Sequence, residues 1–180
     1  CTYSALLTAA ERVREQIKTR CLIFCLCENN LESIVGYVGF LRGRIVPVLL
    51  NARINKDFLE KLLHHYRPAY VWLPSEKAKG ANWGTQVYSH GRFSILKTAY
   101  VTDYALHDDL ALLLTTSGST GSSKMVRQSY RNIDSNAAAI AQYLEIDPTD
   151  RPITTLPMSY TYGLSIINSH FLKGCPVIMT

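Results

Sequence analysis

Apolar positions along this chain follow two rhythms that take turns. Residues 21–27, CLIFCLC, form a continuous apolar run, as expected of a parallel strand covered on both faces. Leu31, Ile34, Val35, Val38 and Leu41 then recur at helical spacing, and Gly43 marks the stop. IVPVLL predicts a second strand, in which Pro47 implies a bulge or a sheet edge because it has no N–H to give. Phe58, Leu59, Leu62, Leu63 and Tyr66 predict a helix stopped by Pro68, and AYVWL predicts a third strand. Ahead of all these, Leu6, Ala9, Ala10, Val13 and Ile17 predict an N-terminal helix.

The rhythm falters over about 75–107, where Gly80, Asn82, Gly84 and Gly91 interrupt any period and only FSILKT reads as a strand. It resumes with ALLLTT as a strand and a helix carrying Ile133, Ala137, Ile140, Ala141 and Leu144. A strand over 152–156, a helix over 163–172 and a last strand, CPVIMT, complete the chain. Strand and helix in regular succession imply an α/β fold: a largely parallel sheet with helices on both faces. A chain of 180 residues fits one domain spanning 1–180, with 75–107 as its variable segment.

Chemistry concentrates at residues 114–124, LTTSGSTGSSK, where an apolar strand runs into Gly, Ser and Thr with a helical pattern downstream. Gly118 and Gly121 permit close backbone approach. Thr116, Ser117, Ser119, Thr120, Ser122 and Ser123 offer hydroxyl donors, and Lys124 offers a cation, so the segment suits phosphate. It is not a P-loop, which needs Gly directly before the Lys and Ser or Thr directly after it, whereas Ser123 and Met125 flank Lys124. The dinucleotide spacing G-x-G-x-x-G occurs nowhere in the chain. GLSI at Gly163 lacks the last glycine of a nucleophile elbow, which argues against a serine hydrolase.

Residues 116–126 resemble the signature of the adenylate-forming superfamily, roughly [ST]-S-G-[ST]-T-G-x-P-K-x-V, at every position but Ser123, where proline is usual. Ser129, Tyr130 and Asn132 are similar to the S-H-x-N that follows, with tyrosine in place of histidine. LPMSYTYGLS, residues 156–165, resembles the next motif, L-P-[LM]-x-H-x-x-G, and residues 21–53 resemble the first strand, helix and second strand. HDDLALLLTTSG carries the acidic lead-in at Asp108 and Asp109.

The resemblance implies the N-terminal part of an AMP-binding domain from a ligase that joins a carboxylic acid to AMP and then to a thiol. ATP with Mg2+ and an acceptor, either CoA or the phosphopantetheine arm of a carrier protein, come with it. It assigns the ATP phosphates to Thr116, Ser117, Gly118, Ser119, Thr120, Gly121 and Lys124. Tyr160 and Gly163 go to the acyl or adenylate pocket, with core packing as the other role open to Tyr160. No catalytic residue falls in these 180 residues. The rest of the family's machinery would lie in a C-terminal portion of the same chain, and without it the segment is expected to be inactive and to self-associate. The alternative is a noncatalytic phosphate-binding or scaffold module.

Composition narrows the surroundings of that chemistry. Hydrophobic content of 47% and charged content of 18% suit a globular chain; no apolar run is long enough to span a bilayer and no signal peptide is evident, which makes a cytoplasmic setting the default. A net charge of +5 raises nucleic acid as a partner, but the basic residues are scattered, and the densest group, Arg12, Arg14, Lys18 and Arg20, is expected on the solvated side of the first helix. Cys1, Cys21, Cys25, Cys27 and Cys175 lack C-x-x-C spacing. Cys21, Cys25 and Cys27 are expected on one strand face as reduced core thiols with no metal.

Overall fold

The computed structural model describes residues 1–101, 104–115 and 124–180. Thr2 opens helix α1 (Tyr3–Arg14) by accepting the Ala5 N–H, and Leu6, Ala10 and Val13 form its buried side. Ile17 is buried but lies past the end of that helix. Strand β1 (Leu22–Cys27) is buried at all six positions. The Asn30 side chain caps α2 (Leu31–Arg42), Gly43 closes it, and β2 (Val46–Asn51) follows. Asn55 caps α3 (Lys56–Tyr66), which ends on Arg67 in the left-handed region, a common way for a helix to terminate. Next come β3 (Tyr70–Pro74), a single turn α4 (Ser75–Ala78), β4 (Gly84–His90) and β5 (Phe93–Thr98). The chain continues through β6 (Leu110–Thr115), β7 (Met125–Ser129), α5 (Tyr130–Tyr143) and α6 (Thr161–Leu172).

Seven strands form one sheet in the order β4-β5-β3-β1-β2-β6-β7. Its centre is parallel: β1 pairs with β2 and β3, and β2 with β6. Both flanks are antiparallel, through β3–β5, β4–β5 and β6–β7. Two of the antiparallel strands escape a hydrophobicity reading for a common reason. β4 has an exposed or half-exposed residue at every position, and β7 is almost as open, so neither carries a run of apolar residues. CPVIMT and 152–156, both expected as strands, meet only in an isolated bridge between Ile153 and Ile178, outside the sheet.

Alternation sorts the core onto two faces. Ile23, Cys25, Leu49, Trp72 and Leu112 point to the side of α1, α2 and α6, while Phe24, Val48, Leu50, Val71 and Leu113 point to α3 and α4. Cys21, Cys25 and Cys27 share the first face, as their period-two spacing requires. Gly36 lets α2 sit on Trp72: a Cβ there would come within 2.7 Å of the indole Cδ1, and the indole N–H donates to the Glu32 carbonyl at 3.2 Å.

Pro47 is neither in a bulge nor on an edge. It pairs in register with Ile23 in a strand flanked on both sides. The N–H groups of Val46 and Ala52 donate to Cys21 and Cys27, so even-numbered residues of β2 bond toward β1 and the odd ones face β6. The missing donor of Pro47 therefore faces β6, whose pairing with β2 starts only at Val48. No ladder bond is lost.

Arg20 also departs from expectation. It lies in the approach to β1, outside α1, and is half-buried. One Nη donates to the Arg44 carbonyl at 2.5 Å, and the other donates to those of His107 and Leu110 at 2.7 and 2.8 Å. Arg44 donates to Asp108 O at 2.7 Å and lies 5.0 Å from the centre of the Tyr130 ring, whose hydroxyl donates to Leu41 O. Arg20 and Arg44 thus lace together the amino ends of β1, β2 and β6.

Candidate functional site

Because β1, β2 and β6 run parallel, their carboxyl ends at Cys27, Asn51 and Thr115 share one edge of the sheet. Open α/β sheets take ligands at such an edge. Thr115 pairs with Met125, which brings the start of β7 to the same edge with exposed Lys124 just ahead of it. Thr116, Ser117, Gly118, Ser119, Thr120 and Gly121 lie outside the described residues.

The segment after Lys124 corrects one expectation. The helix does not follow the glycine-rich residues directly; β7 comes between, and its last residue, Ser129, pairs with Leu110 at the opposite edge. There Ser129 and Asn132 form a capping box: the Ser129 hydroxyl accepts the Asn132 N–H at 3.0 Å and the Asn132 side chain accepts the Ser129 N–H at 3.0 Å. S-x-x-N therefore opens α5, and its neighbour Tyr130 packs against Arg44.

The second motif is fastened to the carboxyl edge by Asn29, two residues past β1. Its amide nitrogen donates to the carbonyls of Thr154 and Leu156 at 2.6 and 3.2 Å, and its oxygen accepts the Met158 N–H at 3.2 Å. Sequence reasoning did not single out Asn29, because a polar residue after a buried strand looks like any turn residue. With Met158 buried beneath it, the chain turns at Pro157, whose carbonyl accepts the Tyr160 N–H at 3.0 Å, and enters α6.

Tyr160 is the N-cap of α6 and is 48% exposed, outside every buried cluster of the described residues. Gly163 is buried where the first turn of α6 presses on the motif's own backbone: a Cβ there would lie 2.8 Å from the Leu156 carbonyl oxygen and closer still to that of Pro157. The structure brings Tyr160 and Gly163 together through that turn.

A cavity of about 470 Å³ opens beside Thr161, between the β6–β7 pair, α5 and α6. Leu112, Leu114, Ile133, Ala139 and Leu164 form its apolar part. A second crevice of about 410 Å³, more polar, sits over the ends of β1 and β2 and includes Glu28, Asn51 and Arg53.

Cys27, the last residue of β1, lines this crevice, while Cys21 stands at the other end of the strand. All five cysteines are unpaired. Burial pushes the Cys21 thiol up to about 11 and the Cys27 thiol up to about 12, which disfavours the thiolate needed for nucleophilic attack or metal binding. Among the described residues, no helix is long and apolar enough to cross a membrane.

A family model described as "AMP-binding enzyme" matches residues 2–180. The chain belongs to the family of AMP-binding enzymes. It is 37% identical over 76 residues to a 2-succinylbenzoate–CoA ligase of Bacillus velezensis, a match covering 42% of this chain and 16% of that one. It is 28% identical over 141 residues to a 3,4-dihydroxybenzoate–[aryl-carrier protein] ligase of Bacillus anthracis, covering 78% of this chain and 30% of that one. Among solved structures, apo MatB from Rhodopseudomonas palustris superposes with a TM-score of 0.78 at 24% identity, over 99% of this chain and 39% of that one. The o-succinylbenzoate CoA synthetase MenE of Bacillus subtilis, with its acyl-adenylate intermediate, gives 0.77 at 21% identity, over 99% of this chain and 49% of that one. The chain thus spans well under half the length of the curated relatives it matches.

Proposed function

We propose that these 180 residues form the phosphate-binding and acyl-facing part of an AMP-forming acid–thiol ligase. The observation that carries this reading is the convergence of two motifs on one sheet edge: Lys124 at the head of β7, and the segment held by Asn29 that leads to Tyr160. In the reaction a carboxylate oxygen attacks the α-phosphorus of ATP, the bond to the bridging oxygen breaks, and pyrophosphate leaves with the electron pair. The acyl group then passes to the thiol of CoA or of a carrier-protein arm, and AMP is released. Related proteins named as ligases of CoA and of an aryl-carrier protein support both acceptors.

Residues 116–121 would donate to the β- and γ-phosphates, where negative charge gathers as pyrophosphate departs, and preorganised donors there stabilise the transition state. Lys124 would add a charge-assisted contact. The α5 N-terminus, at the other edge, contributes nothing to that charge. Tyr160 would close over the adenylate or the acyl group. Mg2+ would offset triphosphate charge when bound; no group of three or more His, Cys, Asp or Glu among the described residues fits it, and no ligand on this chain is assigned to it.

ATP–pyrophosphate exchange driven by a panel of carboxylic acids tests the proposal on the complete protein. Acid-dependent exchange is the expected result, with none from residues 1–180 alone. ATP binding without exchange for any acid would favour a noncatalytic phosphate-binding module. Tyr143, Leu144, Tyr162 and Leu172 expose apolar surface along α5 and α6, which supports self-association of residues 1–180 taken alone. Sedimentation velocity giving a monomer at every concentration would overturn that.

A further inference from the structure

Several polar side chains along α6 serve the helix itself. The Ser165 and Ser169 hydroxyls donate to the carbonyls of Tyr162 and Ile166 at 2.7 and 3.2 Å, and Nδ1 of His170 lies 2.8 Å from the Ile166 carbonyl oxygen. Asn168 reaches outward. Its side-chain oxygen accepts the hydroxyl of Tyr37, on α2, at 2.9 Å and across 131 residues of chain. The rest of the buried side of α6 is apolar or small, with Leu164 and Ile167 in the same buried cluster as Tyr37.

Tyr37 sits where another element can be held still. It follows Gly36, pressed on Trp72, and precedes Gly39, where a Cβ would come within 2.5 Å of the Ala10 carbonyl oxygen, so α2 is seated closely on both the sheet and α1. The residue is 3% exposed. Phenylalanine would fill the same space with no hydroxyl to desolvate, so packing alone does not call for tyrosine here. What the hydroxyl adds is direction, because a hydrogen bond requires a distance and an angle that apolar contacts do not. Burial above all keeps the proton on that hydroxyl, lifting its ionisation above the ordinary range with a smaller push from the Asp134 carboxylate, while the bond to Asn168 acts the other way. Tyr37 is therefore a standing donor and Asn168 its acceptor.

We infer that Tyr37 is a positioning residue for the proposed ligase: through Asn168 it sets the rotation of α6 about its own axis, and thereby the place of Tyr160 at the carboxyl edge of the sheet. The inference rests on the ligase reading above. Asn29 fixes the backbone as far as Met158, and Gly163 fixes how closely the first turn of α6 approaches Pro157. Tyr37 removes a freedom that these two leave. An apolar interface keeps stability more readily than it keeps one unique arrangement. A rotation of α6 by about 20° would move an atom about 5 Å from its axis by about 2 Å, and a misplacement of about 1 Å can cost about a hundredfold in rate.

The test is acid-dependent ATP–pyrophosphate exchange by the complete protein, run with the acid that drives it fastest and with each substrate varied in turn. Tyr37→Phe is expected to raise the KM for the acid about tenfold and to leave the KM for ATP within about twofold, since Lys124 precedes β7 and is not carried by α6. A merely structural role would lower the folded fraction, and with it kcat, but would move neither KM. Asn168→Ala, which removes the acceptor from a half-buried position, is expected to match Tyr37→Phe. Adding Tyr37→Phe to Tyr160→Ala is expected to raise the acid KM no further than Tyr160→Ala alone, as two residues acting through one contact should. An acid KM unchanged by Tyr37→Phe, an ATP KM raised as much as that of the acid, or the same rise in the Tyr160→Ala background overturns the inference and leaves the ligase reading intact. Exchange driven by no acid in the unsubstituted protein overturns that reading, and the inference with it.

Discussion

Asn29 holds Met158 across 129 residues of chain, its side-chain oxygen accepting the Met158 N–H at 3.2 Å while its nitrogen serves the carbonyls of Thr154 and Leu156. One carboxamide thereby joins the end of β1 to the segment that delivers Tyr160. Asn29→Ala should leave these partly buried backbone groups short of partners and cost about 1–3 kcal/mol in urea unfolding. Asn29→Asp should fare no better, since a carboxylate accepts but cannot donate to two carbonyls. Unfolding midpoints unchanged in both variants would remove Asn29 as the fastening.

Lys124→Ala in the complete protein should lower pyrophosphate exchange by about 10- to 100-fold, the equivalent of one charge-assisted hydrogen bond of about 1.5–3 kcal/mol. Lys124→Arg should recover part of the loss. Exchange unaffected by the alanine variant would take Lys124 out of phosphate binding.

At Gly163 even one methyl group is too much. Gly163→Ala sets a Cβ against two backbone carbonyls that cannot swing aside as a side-chain tip could. The expected cost is about 1–3 kcal/mol of stability. Because relief requires moving α6 away from the turn at Pro157, Tyr160 shifts too, and exchange should fall further than the stability loss accounts for. Activity at the original level in a fully folded Gly163→Ala variant would mean that the turn tolerates displacement.

Stability should fall in alkaline solution. The thiols of Cys21 and Cys27 ionise near 9 when exposed, while burial lifts them to about 11 and about 12 in the fold. Below about pH 9 both states keep these protons and there is no effect. Above it the unfolded chain loses protons first, which favours unfolding by up to about 1.4 kcal/mol per pH unit per thiol until the folded thiols ionise as well. Urea midpoints from pH 8 to pH 11 should decline, and less steeply in Cys27→Val. Equal slopes in the two proteins would contradict the assignment.

The parts of this fold legible in the sequence are those that burial dictates. CLIFCLC, AYVWL and ALLLTT announce themselves because a doubly covered strand must be apolar throughout. β4 and β7 escape because a flank strand open to solvent has no such constraint. Pro47 misleads because the cost of a missing N–H depends on which neighbour it faces, and that depends on where the β2–β6 ladder begins. The site divides in the same way. Lys124, Tyr160 and Gly163 stand in local motifs, whereas Asn29 gains meaning only from segments that folding brings together. Arg20 looked like one more surface cation, and nothing local distinguishes a guanidinium in water from one aimed at carbonyls 24 and 87 residues away.

The lacing by Arg20 and Arg44 has a consequence for how such a protein can diversify. With the amino ends of β1, β2 and β6 tied by two guanidiniums, strand register is secured at the end of the sheet opposite the carboxyl ends where Lys124 stands. Exposed side chains at the carboxyl ends can then be exchanged without the strands losing step. Even lysine at Arg20 would offer one compact cation where a forked group now reaches both approaches at once.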